Sequence, residues 1–203
     1  MTTRRSRREE ILDEATKLFA ERGYEGTSMA DLAEKVGLRK ASLFHHFASK
    51  EVLYAAVLAR LVEQVGLAIA KSALLPGSYV ERLDALTDAI VVVLGEQPCA
   101  ARLLIREIMD WGPVVRDQLA DQMLKVLSAA EAFLVAGQAE GRFAQVEPRQ
   151  LILSLTGVHL MPFAIRGIVQ RFTGVDPVQK EFVEMRRSAV REHVRRILLA
   201  PRG

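Results

Sequence analysis

The chain has 203 residues, 50% hydrophobic and 26% charged, with 28 Lys and Arg against 25 Asp and Glu for a net charge of +3. That composition excludes a disordered chain, and the length fits one or two domains. A single cysteine, Cys99, excludes an internal disulfide framework and a thiolate zinc site, and it suits a reducing cytoplasm.

An excess of three charges does not by itself argue for nucleic acid. Its distribution says more, because Arg4, Arg5, Arg7 and Arg8 precede the first acid. The basic start runs into Glu9, Glu10, Asp13 and Glu14 with no apolar stretch, so no secretory signal is expected. The longest segment free of Asp, Glu, Lys and Arg, residues 150–165, falls short of the ~18 residues of a membrane span. A cytoplasmic protein with no membrane partner is the expectation.

Helix formers dominate and Gly and Pro are sparse, which predicts an all-α fold of about nine helices. The first runs over about 4–22, with Ile11, Ala15, Leu18 and Phe19 on one stripe and Gly23 at its end. Ser28 and Asp31 form a capping box for a short second helix from Met29, with Met29, Leu32, Ala33 and Val36 inward. Gly37 turns the chain sharply. A third short helix follows to Phe47, with Leu43 and Phe47 inward, and Ser49 opens a fourth to about Ser72. Ser78 and Glu81 cap a helix to about Leu94, and others are predicted over about 100–109 and 114–139. Two long helices close the chain, over about 149–171 and 177–199, with Asp176 as cap and Pro177 in the first turn of the last.

The second and third helices have helix-turn-helix spacing. The third presents Arg39, Lys40, Ser42, His45 and His46, and no acid occurs from Gly37 to Ser49. A helix pressed against phosphates avoids carboxylates. Ser28, at a helix N-terminus, offers a hydroxyl and free backbone N–H groups to a phosphate. The N-terminal arginines stand at the positive end of the first helix dipole, a placement that an external anion would make favourable.

The run Gly23-Tyr24-Glu25-Gly26-Thr27-Ser28-Met29-Ala30-Asp31-Leu32-Ala33, then Val36-Gly37-Leu38, Ser42-Leu43-Phe44-His45-His46-Phe47 and Ser49-Lys50-Glu51-Val52-Leu53, resembles the DNA-binding segment of the tetracycline-repressor (TetR) family of bacterial transcriptional regulators. The resemblance covers about residues 5–55. It implies an N-terminal three-helix DNA-binding domain, residues 1–49, and a C-terminal helical effector-binding and dimerisation domain, residues 50–203. The DNA-contacting candidates are Arg5, Thr27, Ser28, Arg39, Lys40, Ala41, Ser42, Phe44, His45, His46 and Lys50. The family often has Ser, Lys and Gly where this chain has Arg39, Lys40 and Ala41, and Tyr where it has Phe44. Arg39 adds a cation able to reach a phosphate or a guanine edge. Phe44 keeps only its ring for apolar contact.

The resemblance also implies a cavity among the middle helices and a four-helix dimer interface from the last two. Apolar residues on more than one face of the middle helices mark candidates for effector contact: Leu86, Ile90, Leu103, Met109, Trp111, Met123 and Val126, joined by His159 and Phe163. His159 reads either as a satisfied core or interface histidine or as the cavity's polar handle. Arg102 and Arg106 read either as a salt-bridged face or, for Arg106, as a contact to an acidic effector. The dimer stripes are Leu151, Leu155, Val158, Pro162 and Ile165, and Phe182, Met185, Ala189, Val190, Val194 and Ile197. His45 and His46 lack a third ligand, so no metal is expected, and no cofactor or catalytic motif is found. The expectation is a ligand-responsive transcriptional regulator, a repressor released from a palindromic operator by a small, mainly apolar effector. The alternatives are a helical-bundle enzyme with an incidental helix-turn-helix and an effector-independent DNA-binding protein.

Overall fold

The computed structural model describes residues 6–199, which form ten α-helices and no strand. In chain order these are α1 (Arg7–Arg22), α2 (Met29–Lys35), α3 (Lys40–His46), α4 (Lys50–Ala73) and α5 (Tyr79–Glu96). They continue as α6 (Pro98–Met109), α7 (Ala120–Ala139), α8 (Pro148–Ala164), α9 (Arg166–Thr173) and α10 (Lys180–Leu198). A π-helical turn, Val115–Leu119, leads into α7.

Helix α1 starts later than its apolar stripe suggested, because Ser6 caps it. Glu9 returns the bond by accepting from the Ser6 N–H at 2.8 Å, completing a capping box. Arg4 and Arg5 lie outside the described residues. Arg7 pairs with Glu10 at 2.5 Å and donates to the Val36 carbonyl, and Arg8 stands 5.0 Å from the Phe47 ring centroid. These two cations are held by the protein's own groups. Both nonetheless stand at the positive end of the α1 dipole, as the sequence places them. The Ser28–Asp31 capping box and the inward faces of α2 and α3 are as the sequence predicts.

One continuous apolar core runs from Ile11 to Leu198. Helix α4 lies at its centre, packed against α1, α5, α6 and α7. It is apolar and long enough to cross a membrane, but half of that stretch is buried inside the bundle, as in the core helix of a globular protein.

The two predicted C-terminal helices differ from expectation. Pro162 removes the N–H that the Val158 carbonyl would receive, and Arg186 of α10 donates to that carbonyl instead. Three residues later the helix breaks at Ile165, and α9 leaves α8 at 82°. Asp176 does not cap α10. It accepts from Arg166 at 2.7 Å and from the Val178 N–H at 3.2 Å, and the last helix begins only at Lys180. Helix α10 is fixed on α5 by Arg187 and Arg191 on Asp88, at 2.9 and 3.4 Å, and by Arg195 on Asp84 at 2.8 Å. The aspartates are largely buried and the arginines partly exposed, and three pairs at helical spacing along α10 set the register of the two helices.

The apolar dimer stripes divide. Leu151, Phe182, Val190 and Val194 are buried within the chain, and Leu155 lines an internal cavity. The exposed ridges are shifted around their helices. Leu153 and Met161 of α8 and Ile165 at its C-cap follow i+4 spacing through Gly157. Met185, Ala189, His193 and Ile197 do so on α10. Ile168 and Phe172 extend the exposed apolar surface along α9.

Candidate nucleic-acid interface and ligand cavity

The turn between α2 and α3 depends on Gly37, at φ +62°. A Cβ there would meet nothing within 4 Å, so glycine serves the left-handed backbone and not a close contact. The Leu38 N–H closes the turn on the Ala33 carbonyl at 2.8 Å. Leu43 and Phe47 anchor α3 in the core, which turns Arg39, Lys40, Ala41, Ser42, Phe44, His45 and His46 outward together. The Lys40 ammonium stands 5.9 Å from the Phe44 ring, and the His45 and His46 rings meet edge to face at 6.2 Å. The face therefore carries donors and one aromatic ring with no carboxylate between Gly37 and Ser49.

Two candidates are committed elsewhere. Thr27 is buried, and its hydroxyl donates to the Gly23 carbonyl at 2.9 Å, tying the end of α1 to the start of α2. Lys50 donates to the Tyr24 carbonyl at 3.0 Å, lies 4.2 Å from the Tyr24 ring centroid and is 3.9 Å from Glu25. Both side chains bond the protein's own backbone in place of a free phosphate-facing position. Ser28 remains exposed at the α2 N-terminus, with its hydroxyl on the Asp31 N–H at 3.1 Å.

Tyr24 and Tyr54 meet at 5.0 Å beside Phe19, joining α1 and α4. Burial, then the Glu107 carboxylate, pushes the Tyr54 hydroxyl up to about 12, and it lies 3.5 Å from Glu107 of α6. Arg102 of α6 donates to the Ala20 carbonyl, and the Arg106 guanidinium packs against Gly23. Both arginines thus face the C-terminal end of α1, where helix carbonyls carry partial negative charge. This corrects the reading of Arg106 as an effector contact. The sequence held no signal for it, since the partners are backbone atoms 82 residues away in the case of Arg102.

A cavity of about 160 Å³ lies between α4, α5, α6, α7, α8 and α10. Of the predicted residues, Leu86, Ile90, Met123, Val126 and His159 line it. Leu103 is buried but the wall belongs to its neighbour Leu104, one position round the helix. Phe163 packs edge to face on Phe182 at 6.2 Å, outside the lining. Met109 and Trp111 are 79% and 58% exposed at the end of α6, so they do not reach the cavity. Trp111 takes φ +46°, which turns the chain out of α6 into the π-helical segment. The sequence reading missed Leu61, Val62 and Val65 of α4, since a helix apolar nearly all round gives no phase for one wall. It also missed Thr87 and Thr156. Among the described residues no group of three His, Cys, Asp or Glu side chains is placed to hold a metal ion.

An exposed, acid-free helix-turn-helix joined to a helical bundle with an apolar cavity defines the class of DNA-binding regulators. Residues 11–57 match the model of bacterial regulatory proteins of the tetR family, and residues 80–194 match a tetracyclin repressor-like C-terminal domain. The chain belongs to the TetR family of DNA-binding transcriptional regulators. It is 26% identical over 150 residues to the HTH-type transcriptional regulator RutR of Escherichia coli K12, covering 74% of this chain and 70% of RutR. Its fold is similar to that of PfmR from Thermus thermophilus, a TetR family regulator, with TM-score 0.75, 24% identity and coverage of 95% and 99%. It is also similar to AibR, solved in complex with isovaleryl coenzyme A and operator DNA, with TM-score 0.70, 21% identity and coverage of 93% and 97%.

Proposed function

We propose that this chain is a cytoplasmic, homodimeric repressor released from a palindromic operator by a small, mainly apolar effector. Residues 1–49 act as the DNA-binding domain and residues 50–203 as the effector-binding and dimerisation domain. The observation that carries the reading is the coexistence of an outward acid-free α3 face and an apolar cavity within one continuous core. Arg39, Lys40, Ser42, Phe44, His45 and His46 meet the major groove, with Ser28 and Ala41 at its edge. The exposed ridges of α8 and α10, with Ile168 and Phe172 of α9, pair with those of a second copy by two-fold symmetry. AibR, with both a ligand and operator DNA, supports the same division of labour.

Transmission runs through α4 and α6. Helix α4 begins at Lys50, just beyond the helix-turn-helix, and contributes Leu61, Val62 and Val65 to the cavity wall. Helix α6 contributes Leu104 to the wall and holds α1 through Arg102. An effector shifts operator affinity only by its differential fit to the two poses of these helices, typically ~1–3 kcal/mol. The test is equilibrium binding to a palindrome from the chain's own promoter region, with apolar compounds added at saturation. Operator binding that no cavity-filling compound alters would sink the effector half of the proposal. Loss of binding in a monomeric Met161→Glu variant is the expected result for the dimer half.

A further inference from the structure

The cavity wall is apolar except for Thr87, Thr156 and His159. Thr156 donates its proton to the Ile152 carbonyl at 2.8 Å and keeps only lone pairs for another partner. His159 is 5% exposed, and its Nδ1 lies 2.7 Å from the Leu155 carbonyl oxygen. A carbonyl only accepts, so Nδ1 carries the proton and a neutral ring is left with an acceptor lone pair on Nε2. Nε2 is buried and has no hydrogen-bond partner among the described residues. The ring stays neutral because burial, aided by the nearby Arg186 guanidinium, holds its pKa below the ordinary histidine value. Arg186 itself lies outside the lining and is engaged with the Val158 carbonyl.

We propose that the cavity selects an uncharged effector of about benzene size whose single hydrogen-bond donor, a hydroxyl of the phenol or alcohol type, is received by His159 Nε2. The inference rests on the reading of the cavity as the effector site. Size follows from volume, since an apolar cavity of ~150 Å³ accommodates benzene. Polarity follows from the unpaired acceptor. A plain hydrocarbon leaves Nε2 unsatisfied, whereas a hydroxyl without a partner would bind more weakly than a hydrocarbon because it sheds water for nothing. A carboxylate brings only acceptors to a neutral acceptor.

The test uses the full chain at pH 7.5 and four probes of one shape: toluene, p-cresol, 4-methylanisole and p-toluate, measured by titration calorimetry. The expected result is p-cresol binding about tenfold tighter than toluene and 4-methylanisole, with p-toluate weakest. In His159→Leu the order reverses, and p-cresol binds more weakly than toluene because its hydroxyl has lost its partner. Because the four probes already separate donor, capped oxygen and anion in the unaltered protein, the outcome does not depend on that variant folding. Equal binding of p-cresol and toluene, or tightest binding by p-toluate, overturns the donor assignment while leaving the cavity as an effector site. Failure of toluene and p-cresol alike overturns both.

Discussion

Gly137, two residues from the end of α7, offers a direct measurement of how tightly the wall beside the cavity is packed. A Cβ placed there would lie 2.2 Å from Phe143 Cδ2, 2.4 Å from Cε2 and 3.1 Å from Cγ. The ring has nowhere simple to go. It is buried, with Tyr79 at 5.5 Å and Phe133 at 5.7 Å, and the Gly137 carbonyl holds both the Arg142 and Phe143 N–H groups, at 2.8 and 3.2 Å. Restoring ordinary contact requires a shift of more than about 1 Å in a packed aromatic cluster. Overpacking of this kind costs ~1–3 kcal/mol, and a clash against a fixed ring belongs at the upper end. Replacing Gly by Ala inside a helix returns ~1 kcal/mol. Gly137→Ala is therefore expected to destabilise the chain by ~2 kcal/mol, which at this length lowers Tm by ~4–8 °C. Thermal and urea denaturation followed by far-ultraviolet circular dichroism measure it. Adding Phe143→Leu should recover part of the loss, giving a favourable coupling in the double-mutant cycle. A higher Tm for Gly137→Ala, as helix propensity alone requires, would refute the packing argument.

The remaining predictions concern the interface, the dimer, Lys50 and pH. Arg39→Ala with Lys40→Ala should weaken operator binding and flatten its salt dependence, read by fluorescence anisotropy across a range of salt concentrations; an unchanged affinity would remove α3 from the groove. Met161→Glu, on the exposed α8 ridge, should yield monomers by sedimentation while leaving helicity intact. Lys50→Met should lower Tm by several degrees, because a charged hydrogen bond of ~1.5 kcal/mol or more and a cation–π contact are lost together. His159 has a folded pKa below its unfolded one, so between the two the unfolded chain binds the extra proton and stability rises with pH. Unfolding free energy should accordingly fall as pH drops below ~6.5, the ordinary histidine value, and His159→Leu should flatten that limb down to about pH 5, above the carboxylate range.

The helix-turn-helix was legible because its information is local. Caps, the positive-φ glycine and the inward residues of α2 and α3 lie within a few positions of one another, and the absence of acids from Gly37 to Ser49 is itself a sequence fact. Two kinds of feature were not legible. The first is the phase of an apolar helix. Periodicity marks which residues are hydrophobic but does not say whether Leu103 or Leu104 faces a cavity, or whether Phe182 or Met185 is left for a partner, because several helices surround each one. The second is the destination of a long cation. Arg7, Arg102, Arg186 and Lys50 all bond backbone carbonyls far away in the chain, and a sequence carries no mark of where a carbonyl will be. Sequence alone determined the family, the all-α class and the acid-free outer face of α3, since these depend on short-range stereochemistry and charge. Only the tertiary structure decided the cavity wall, the break after Pro162 and the paired state of His159 Nδ1 against the orphaned Nε2. Those depend on how α4 to α10 close around one another in three dimensions.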